Sequence, residues 1–99
     1  MAKYRVLVEK QAEKDVRQLP GHVRQRVRRI IRSLGDDPRP EGTKELRDLP
    51  GYYRISLDKW RIIYHIEEEE IEGEDGVFTV IVLRVPLKTG PETYEDLER

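Results

Sequence analysis

The stretch GYYRISLDKWRIIYHI, residues 51–66, decides the fold of this chain. Polar and apolar residues alternate on both sides of Asp58-Lys59, which is the pattern of two antiparallel β-strands joined by a two-residue turn. Every second side chain of both strands is apolar, and we expect this shared face to pack on the core. The core-facing residues are then Tyr53, Ile55, Leu57, Trp60, Ile62, Tyr64 and Ile66.

The opposite face of the same hairpin is mostly polar. It carries Tyr52, Arg54, Ser56, Arg61, Ile63 and His65. A two-residue turn pairs Ser56 with Arg61, so Arg54 and Arg61 are diagonal neighbours with backbones about 7–8 Å apart. Two guanidinium groups at that separation can bind one phosphate. The alternative is that each arginine solubilises an open sheet face or pairs with a nearby carboxylate.

Two amphipathic helices precede the hairpin. Apolar residues recur at i, i+4 and i+7 between Glu9 and Leu19, and Pro20-Gly21 ends that run. A longer apolar stripe extends from Val23 to Leu34. Because the break between them is short, we expect an antiparallel helical hairpin.

Two further strands are predicted, one on each side of these elements. Residues 4–8 alternate like a strand with one buried face, and residues 77–85 are almost continuously apolar, as in a strand at the centre of a sheet. Residues 36–50 hold three prolines and indicate an ordered, irregular connection. The acidic residues 67–76 are interpreted as a long, solvated hairpin loop.

The element order predicts the fold class. Strand, helix, helix, strand, strand, strand is an α+β arrangement, β-α-α-β-β-β, with a helical hairpin packed on one face of a mainly antiparallel four-stranded sheet. At 99 residues and 36% hydrophobic content, we expect one domain spanning residues 1–99.

Composition excludes several classes of function. The chain has no cysteine and two histidines, so we expect no disulfide, no metal site and no cofactor. No apolar run has signal-peptide or membrane-spanning length, and we expect a cytoplasmic protein without a membrane partner.

Charge is distributed unevenly along the chain. Residues 1–66 hold 16 Lys and Arg against 9 Asp and Glu, a net +7, whereas residues 67–99 hold 3 against 11, a net −8. Charges are screened beyond about 8 Å at physiological ionic strength. The basic part can therefore present a local face to phosphates despite the overall charge of −1.

Six short segments, in their order and spacing, resemble the RelE/ParE family of type II toxin–antitoxin toxins. They are Leu19-Pro20, Ser33-Leu34, Pro38-Arg39-Pro40, Lys44-Glu45-Leu46, Gly51-Tyr52-Tyr53-Arg54-Ile55 and Trp60-Arg61-Ile62-Ile63-Tyr64. RelE-type members are ribosome-dependent endoribonucleases, so the resemblance implies cleavage of messenger RNA without a metal. It also implies three partners: a cognate antitoxin protein, the ribosome and messenger RNA.

The resemblance also implies roles for individual residues. Arg54 matches a basic catalytic position, Arg61 matches an arginine that neutralises phosphate charge, and Lys88 and Tyr94 have the family's spacing of a basic residue followed six positions later by tyrosine. Two departures from the RelE pattern are Ser56, where a second lysine is usual, and Val85-Pro86-Leu87, which replaces a glycine-containing approach to the basic residue.

Further side chains are candidates for contacting RNA. Tyr52 could stack on a base, Ser56 and His65 share its face, and His65 is also a secondary acid–base candidate, although a lone strand histidine is commonly structural. The second helix carries arginines that could bind RNA phosphates or form only a solvated face, and Arg24 and Arg28 are the candidates chosen there.

Two alternatives to the ribonuclease remain open. A ParE-like toxin would share the fold and poison DNA gyrase without cutting RNA, and an inactive relative would keep only antitoxin binding.

Overall fold

The computed structural model describes residues 4–69 and 77–88. Along the chain the elements are β1 (Tyr4–Val8), α1 (Lys10–Arg17), α2 (Gly21–Ser33), β2 (Lys44–Glu45), β3 (Tyr52–Leu57), β4 (Trp60–Glu69) and β5 (Val77–Arg84). The predicted α+β class and element order are confirmed, with one strand more than expected.

The strands of the described residues form a single five-stranded sheet in the order β1-β5-β4-β3-β2. β1 is parallel to β5, and all other neighbouring strands are antiparallel. The prediction of a mainly antiparallel sheet is therefore confirmed. β5 lies between β1 and β4, as its continuous apolar sequence indicates.

The predicted count of four strands is wrong because β2 lies inside the segment interpreted as an irregular connection. β2 has two residues, and Lys44 and Glu45 pair with Arg54 and Tyr53 of β3. A two-residue strand is too short to show an alternating pattern, so its pairing with β3 is decided by the tertiary structure.

The acidic segment also begins later than expected. Glu67 and Glu68 belong to β4 and pair with Thr79 and Phe78 of β5. The sequence pattern was misleading because backbone pairing tolerates exposed charged side chains on a strand. The rest of the predicted loop, residues 70–76, lies outside the described residues.

Both helices pack on one face of the sheet. The buried cluster joins Ala12 and Val16 of α1 and Val23 and Val27 of α2 to the core-facing side chains of the strands. Tyr53, Ile55, Leu57, Ile62 and Tyr64 all belong to it, as the alternating pattern predicts. The two-residue turn is also present, and Asp58 adopts a φ of 52°, a left-handed conformation that aspartate tolerates better than most residues.

Buried tyrosines fasten the irregular connection to this core. The Tyr64 hydroxyl donates to the Pro38 carbonyl at 2.7 Å, and the Arg39 Nε donates to the Tyr53 hydroxyl at 3.2 Å. Burial raises the pKa of Tyr64, and the hydrogen bond with Tyr53 raises the pKa of Arg39. These contacts hold the connection between α2 and β2 against the core. β2 is the strand at one edge of the sheet.

Within residues 4–69 and 77–88, no helix is long and apolar enough to cross a bilayer.

Candidate functional site

The face of the sheet opposite the helices carries the predicted site residues of the hairpin. β3 and β4 pair Ser56 with Arg61, Arg54 with Ile63 and Tyr52 with His65. This is the register that the two-residue turn predicts, so Arg54 and Arg61 are diagonal neighbours on one face. Their roles in catalysis remain predictions.

Lys88 is brought to the same face by the chain that follows β5. The Lys88 amide donates to the Lys59 carbonyl at 2.7 Å, and Leu87 forms a bridge with Trp60. Residues opposite each other in an antiparallel pair share a face, so Leu87 lies on the helix side with Trp60. The next residue, Lys88, therefore points to the side of Arg61.

Lys44 is a basic residue of this face that sequence reasoning missed. It pairs directly with Arg54 across β2 and β3, and its side chain is exposed. We define the basic face as Lys44, Arg54, Arg61 and Lys88. The quoted Lys44-Glu45-Leu46 segment contained the residue, but a pairing partner for Lys44 could be found only once β2 was known.

Arg54 and Arg61 share an unusual electrostatic environment. Their Nε atoms are buried, and neither has a hydrogen-bond partner among the described residues. Nor does either guanidinium form an ion pair within residues 4–69 and 77–88. An unsatisfied buried donor costs about 1–3 kcal/mol, and two neighbouring cations repel each other. An anion placed between the two groups would reduce both penalties.

Ile63 departs from the sequence-based expectation. The sequence pattern places Ile63 on the polar face, and its pairing with Arg54 confirms that position. The side chain is nevertheless 0% exposed. It lies outside the main buried cluster, and a register shift separates it from Tyr64. The basic face therefore includes one fully buried apolar residue directly across from Arg54.

Tyr52 and His65 form a stacked aromatic pair beside the basic face. Their ring centroids are 4.3 Å apart with an interplanar angle of 28°. His65 Nδ1 lies 2.9 Å from the Gly51 carbonyl, which makes Nδ1 the protonated nitrogen of the neutral ring, and Nε2 lies 3.9 Å from Glu67. The histidine is thus held in place by structural contacts, while both rings remain partly exposed.

The remaining candidates fall in different places. Ser56 is exposed on the face of Arg61. Tyr94 lies outside the described residues. Arg24 and Arg28 lie on α2, on the helix side of the sheet, so the structure separates them from Arg54 and Arg61.

Arg28 lines a groove between the two helices. This groove has a volume of about 790 Å³, and Arg17, Arg29 and Arg32 also line it, together with Glu13. Arg24 is not among its lining residues. The two helical arginines chosen from the sequence therefore belong to different local surfaces.

Sequence comparison identifies one family model. The model described as "ParE toxin of type II toxin-antitoxin system, parDE" matches residues 6–85. A search of curated proteins finds no significant match.

Solved structures of RelE toxins are similar to this chain over most of its length. A mutant of the E. coli toxin RelE in the free state is 27% identical, with a TM-score of 0.68, over 96% of this chain and 93% of that chain. The intact E. coli RelBE toxin–antitoxin complex contains a chain that is 27% identical, with a TM-score of 0.62, over 85% of this chain and 95% of that chain.

A more distant structure shares the fold. The RelB–RelE antitoxin–toxin complex from Methanococcus jannaschii contains a chain that is 23% identical, with a TM-score of 0.62, over 94% of this chain and 99% of that chain.

Proposed function

This chain belongs to the RelE/ParE family of type II toxin–antitoxin toxins, and from that premise we propose that it is a ribosome-dependent endoribonuclease that cleaves messenger RNA. The proposal places it in the cytoplasm, where translation takes place. Its cognate partner is an antitoxin of the RelB type, because the similar toxins of the E. coli complex are bound to one.

One observation carries the nuclease proposal. Arg54 and Arg61 are diagonal neighbours on the sheet face opposite the helices, and among the described residues their buried Nε donors have no hydrogen-bond acceptor and their guanidinium groups have no carboxylate partner. A surface arginine pair kept only for solubility would not need to bury its donors. A phosphate of RNA would supply the missing acceptor and neutralise the repulsion between the two cations.

The basic face suits the chemistry of RNA cleavage. Attack of a ribose 2′-hydroxyl on the adjacent phosphate develops negative charge on the phosphate oxygens and needs a proton acceptor and a proton donor. Arg54 and Arg61 supply fixed positive charge, because arginine stays protonated. Lys88 contacts the phosphate or donates a proton to the leaving 5′-oxygen. The reaction so described uses no metal ion.

Aromatic side chains complete the proposed site. Tyr94 stacks on a splayed base or, in its phenolate form, accepts the proton of the 2′-hydroxyl. The Tyr52–His65 pair and Ser56 lie beside the arginines and contact the neighbouring nucleotide. The ribosome presents the messenger, which supplies the orientation that an open sheet face cannot provide by itself.

The second candidate function is a ParE-like toxin that binds DNA gyrase. The description of the matching family model favours it. Ser56, which stands where the RelE pattern has a lysine, favours it as well. In that case the basic face is a protein-binding surface and no RNA is cut.

The deciding experiment is induced expression of the wild type and of Arg61→Ala in a bacterial host without the antitoxin. Growth is followed, and the 5′ ends of messages on ribosomes are mapped. Arg17→Ala is the matched control, because Arg17 is an exposed arginine of α1 on the other side of the sheet. We expect growth arrest with new cuts in translated messages for the wild type and for Arg17→Ala, and neither for Arg61→Ala.

Removal of one hydrogen-bond donor that stabilises developing negative charge in a transition state typically costs a factor of about 10²–10³ in rate. Cleavage by purified ribosomes with a defined message should therefore fall by about that factor in Arg61→Ala. Growth arrest with intact messages and a DNA-damage response would reject the nuclease and support the gyrase target.

A further inference from the structure

A side chain of helix α1 binds the end of β5. Helix α1 lies on the face of the sheet opposite the basic face. Asp15, on α1, accepts two hydrogen bonds on its Oδ2 atom, one from Arg84 Nε and one from the Val85 amide, each 2.9 Å long. The Asp15 side chain is 12% exposed and that of Arg84 is 30% exposed. Both bonds involve a charged group in a partly buried place, where such bonds are strongest.

From this point the chain runs antiparallel beside the start of β4, where Leu87 forms a bridge with Trp60. The Arg61 amide donates to the Pro86 carbonyl at 2.9 Å, and the Lys88 amide donates to the Lys59 carbonyl at 2.7 Å. Residues 85–88 thus continue beside β4 from Val85, which is bound by Asp15, to Lys88, whose side chain alternates to the basic face.

This segment begins where the regular pairing of β4 with β5 is interrupted. The β4–β5 ladder has a register shift at Ile63 and Tyr64, which is where β4 faces the end of β5. Pro86 has no amide hydrogen to donate. Val85 is 2% exposed, so without the carboxylate its amide would be a buried donor lacking an acceptor.

We infer that Asp15 is a positioning residue that sets the place of Lys88 on the opposite face of the sheet. The inference rests on the proposed function for its catalytic meaning, since Lys88 matters only if the basic face acts on a phosphate. It also accounts for Val85-Pro86-Leu87 in place of the usual glycine-containing approach. Here a rigid proline and an ionic anchor fix the path of the segment.

The first test is local and does not depend on catalysis. Amide hydrogen exchange is measured in the wild type, in Asp15→Ala and in Glu13→Ala. Glu13 is the matched control, because it is an acidic residue of the same helix in an exposed pair with Arg17. We expect Asp15→Ala to speed exchange at Val85, Arg61 and Lys88 by at least tenfold, with Val82 and Ile62 unchanged.

An unchanged Lys88 amide in a folded Asp15→Ala protein would overturn the inference, because residues 85–88 would then hold their path without the anchor. A uniform acceleration over the whole sheet would overturn it as well, since Asp15 would then stabilise the fold rather than position one segment. Exchange in Glu13→Ala should match that of the wild type.

The second test measures cleavage of a message on purified ribosomes, at a temperature where circular dichroism shows every variant fully folded. Misplacing a reacting group by about 1 Å can cost about 10²-fold. We expect a fall in kcat of that order in Asp15→Ala with little change in KM, because the substitution removes no residue of the basic face. Asp15→Asn keeps an acceptor for the Val85 amide and should lie between Asp15→Ala and the wild type.

The two hypotheses fail in different ways. A wild-type protein that cuts no message rejects the proposed function, and the exchange experiment alone then decides whether Asp15 positions Lys88. A wild-type protein that cuts, beside an Asp15→Ala variant that cuts equally fast, rejects the positioning role and leaves the proposed function intact.

Discussion

The two faces of the sheet are formed by the same strands but differ in packing and charge. On the helix side, Ile62 and Tyr64 are fully buried in a cluster with residues of α1 and α2. On the other side, Arg54 and Arg61 are diagonal neighbours whose buried Nε donors have no hydrogen-bond partner within residues 4–69 and 77–88. The helix-side face stabilises the fold by burying apolar side chains. The basic face instead keeps buried donors and neighbouring positive charges, which lower the free energy of unfolding. Such a cost is typical of functional sites, where natural proteins are not at their stability optimum.

The largest expected effect compares two neighbouring isoleucines, one on each face. Ile62→Ala removes a fully buried side chain from the main cluster and should lower the free energy of unfolding by about 2–5 kcal/mol. Ile63→Ala removes the same atoms on the other face, outside the main cluster, so its loss should be smaller. Urea denaturation of both variants gives the comparison, and equal losses would show that the two faces are packed alike.

The next effect concerns the buried Tyr64 hydroxyl. Tyr64→Phe removes the donor to the Pro38 carbonyl and should cost about 1–3 kcal/mol. Tyr53→Phe is the matched control, since its hydroxyl bonds to the exposed Arg39 and should matter less. Thermal or urea denaturation measures both. If Tyr53→Phe were the more damaging change, the connection would be held mainly by Arg39.

The raised pKa of Tyr64 also predicts that the free energy of unfolding depends on pH in the alkaline range. Burial raises the pKa of its hydroxyl above the ordinary tyrosine value of 10.0. The unfolded chain therefore loses this proton first, so the contribution to stability is present below about pH 10 and is lost as the pH rises through the folded-state pKa. Denaturation between pH 9 and 11 should show a shallower decline for Tyr64→Phe than for the wild type.

A smaller effect is expected for an exposed ion pair at the edge of the molecule. Arg26 lies 3.4 Å from Asp58, and both side chains are more than half exposed. Arg26→Ala should cost less than about 1 kcal/mol, and the difference should shrink at high salt. A larger loss that persisted in 1 M salt would contradict this account.

The smallest effect on stability is expected at the basic face itself. Arg54→Met keeps the approximate length of the side chain and removes both the charge and the Nε donor, which has no partner in the described part of the chain. The free energy of unfolding should stay the same or rise, while message cleavage is lost. A clear loss of stability would show that Arg54 has a structural partner and would weaken the phosphate-binding argument.

The alternating stretch 51–66 was enough to predict the hairpin, its turn, its register and the pairing of Ser56 with Arg61. It succeeded because a two-residue turn and a period of two leave no freedom in register. The element order and the fold class followed from similar local periodicities. By contrast, β2 and the extension of β4 were missed, because two-residue strands and charged strand ends have no pattern of their own.

The sequence by itself determined the fold class, the helix-side core and the shared face of Arg54 and Arg61, since all three depend on periodicity along the chain. The tertiary structure alone decided that Lys44 joins this face through β2, that Arg24 and Arg28 lie on the other side, and that Asp15 accepts hydrogen bonds from Arg84 and Val85 at the end of β5. These facts depend on contacts between residues distant in sequence, as with Asp15 and Val85. Local patterns carry no information about such contacts, because they form only when the helices pack on the sheet.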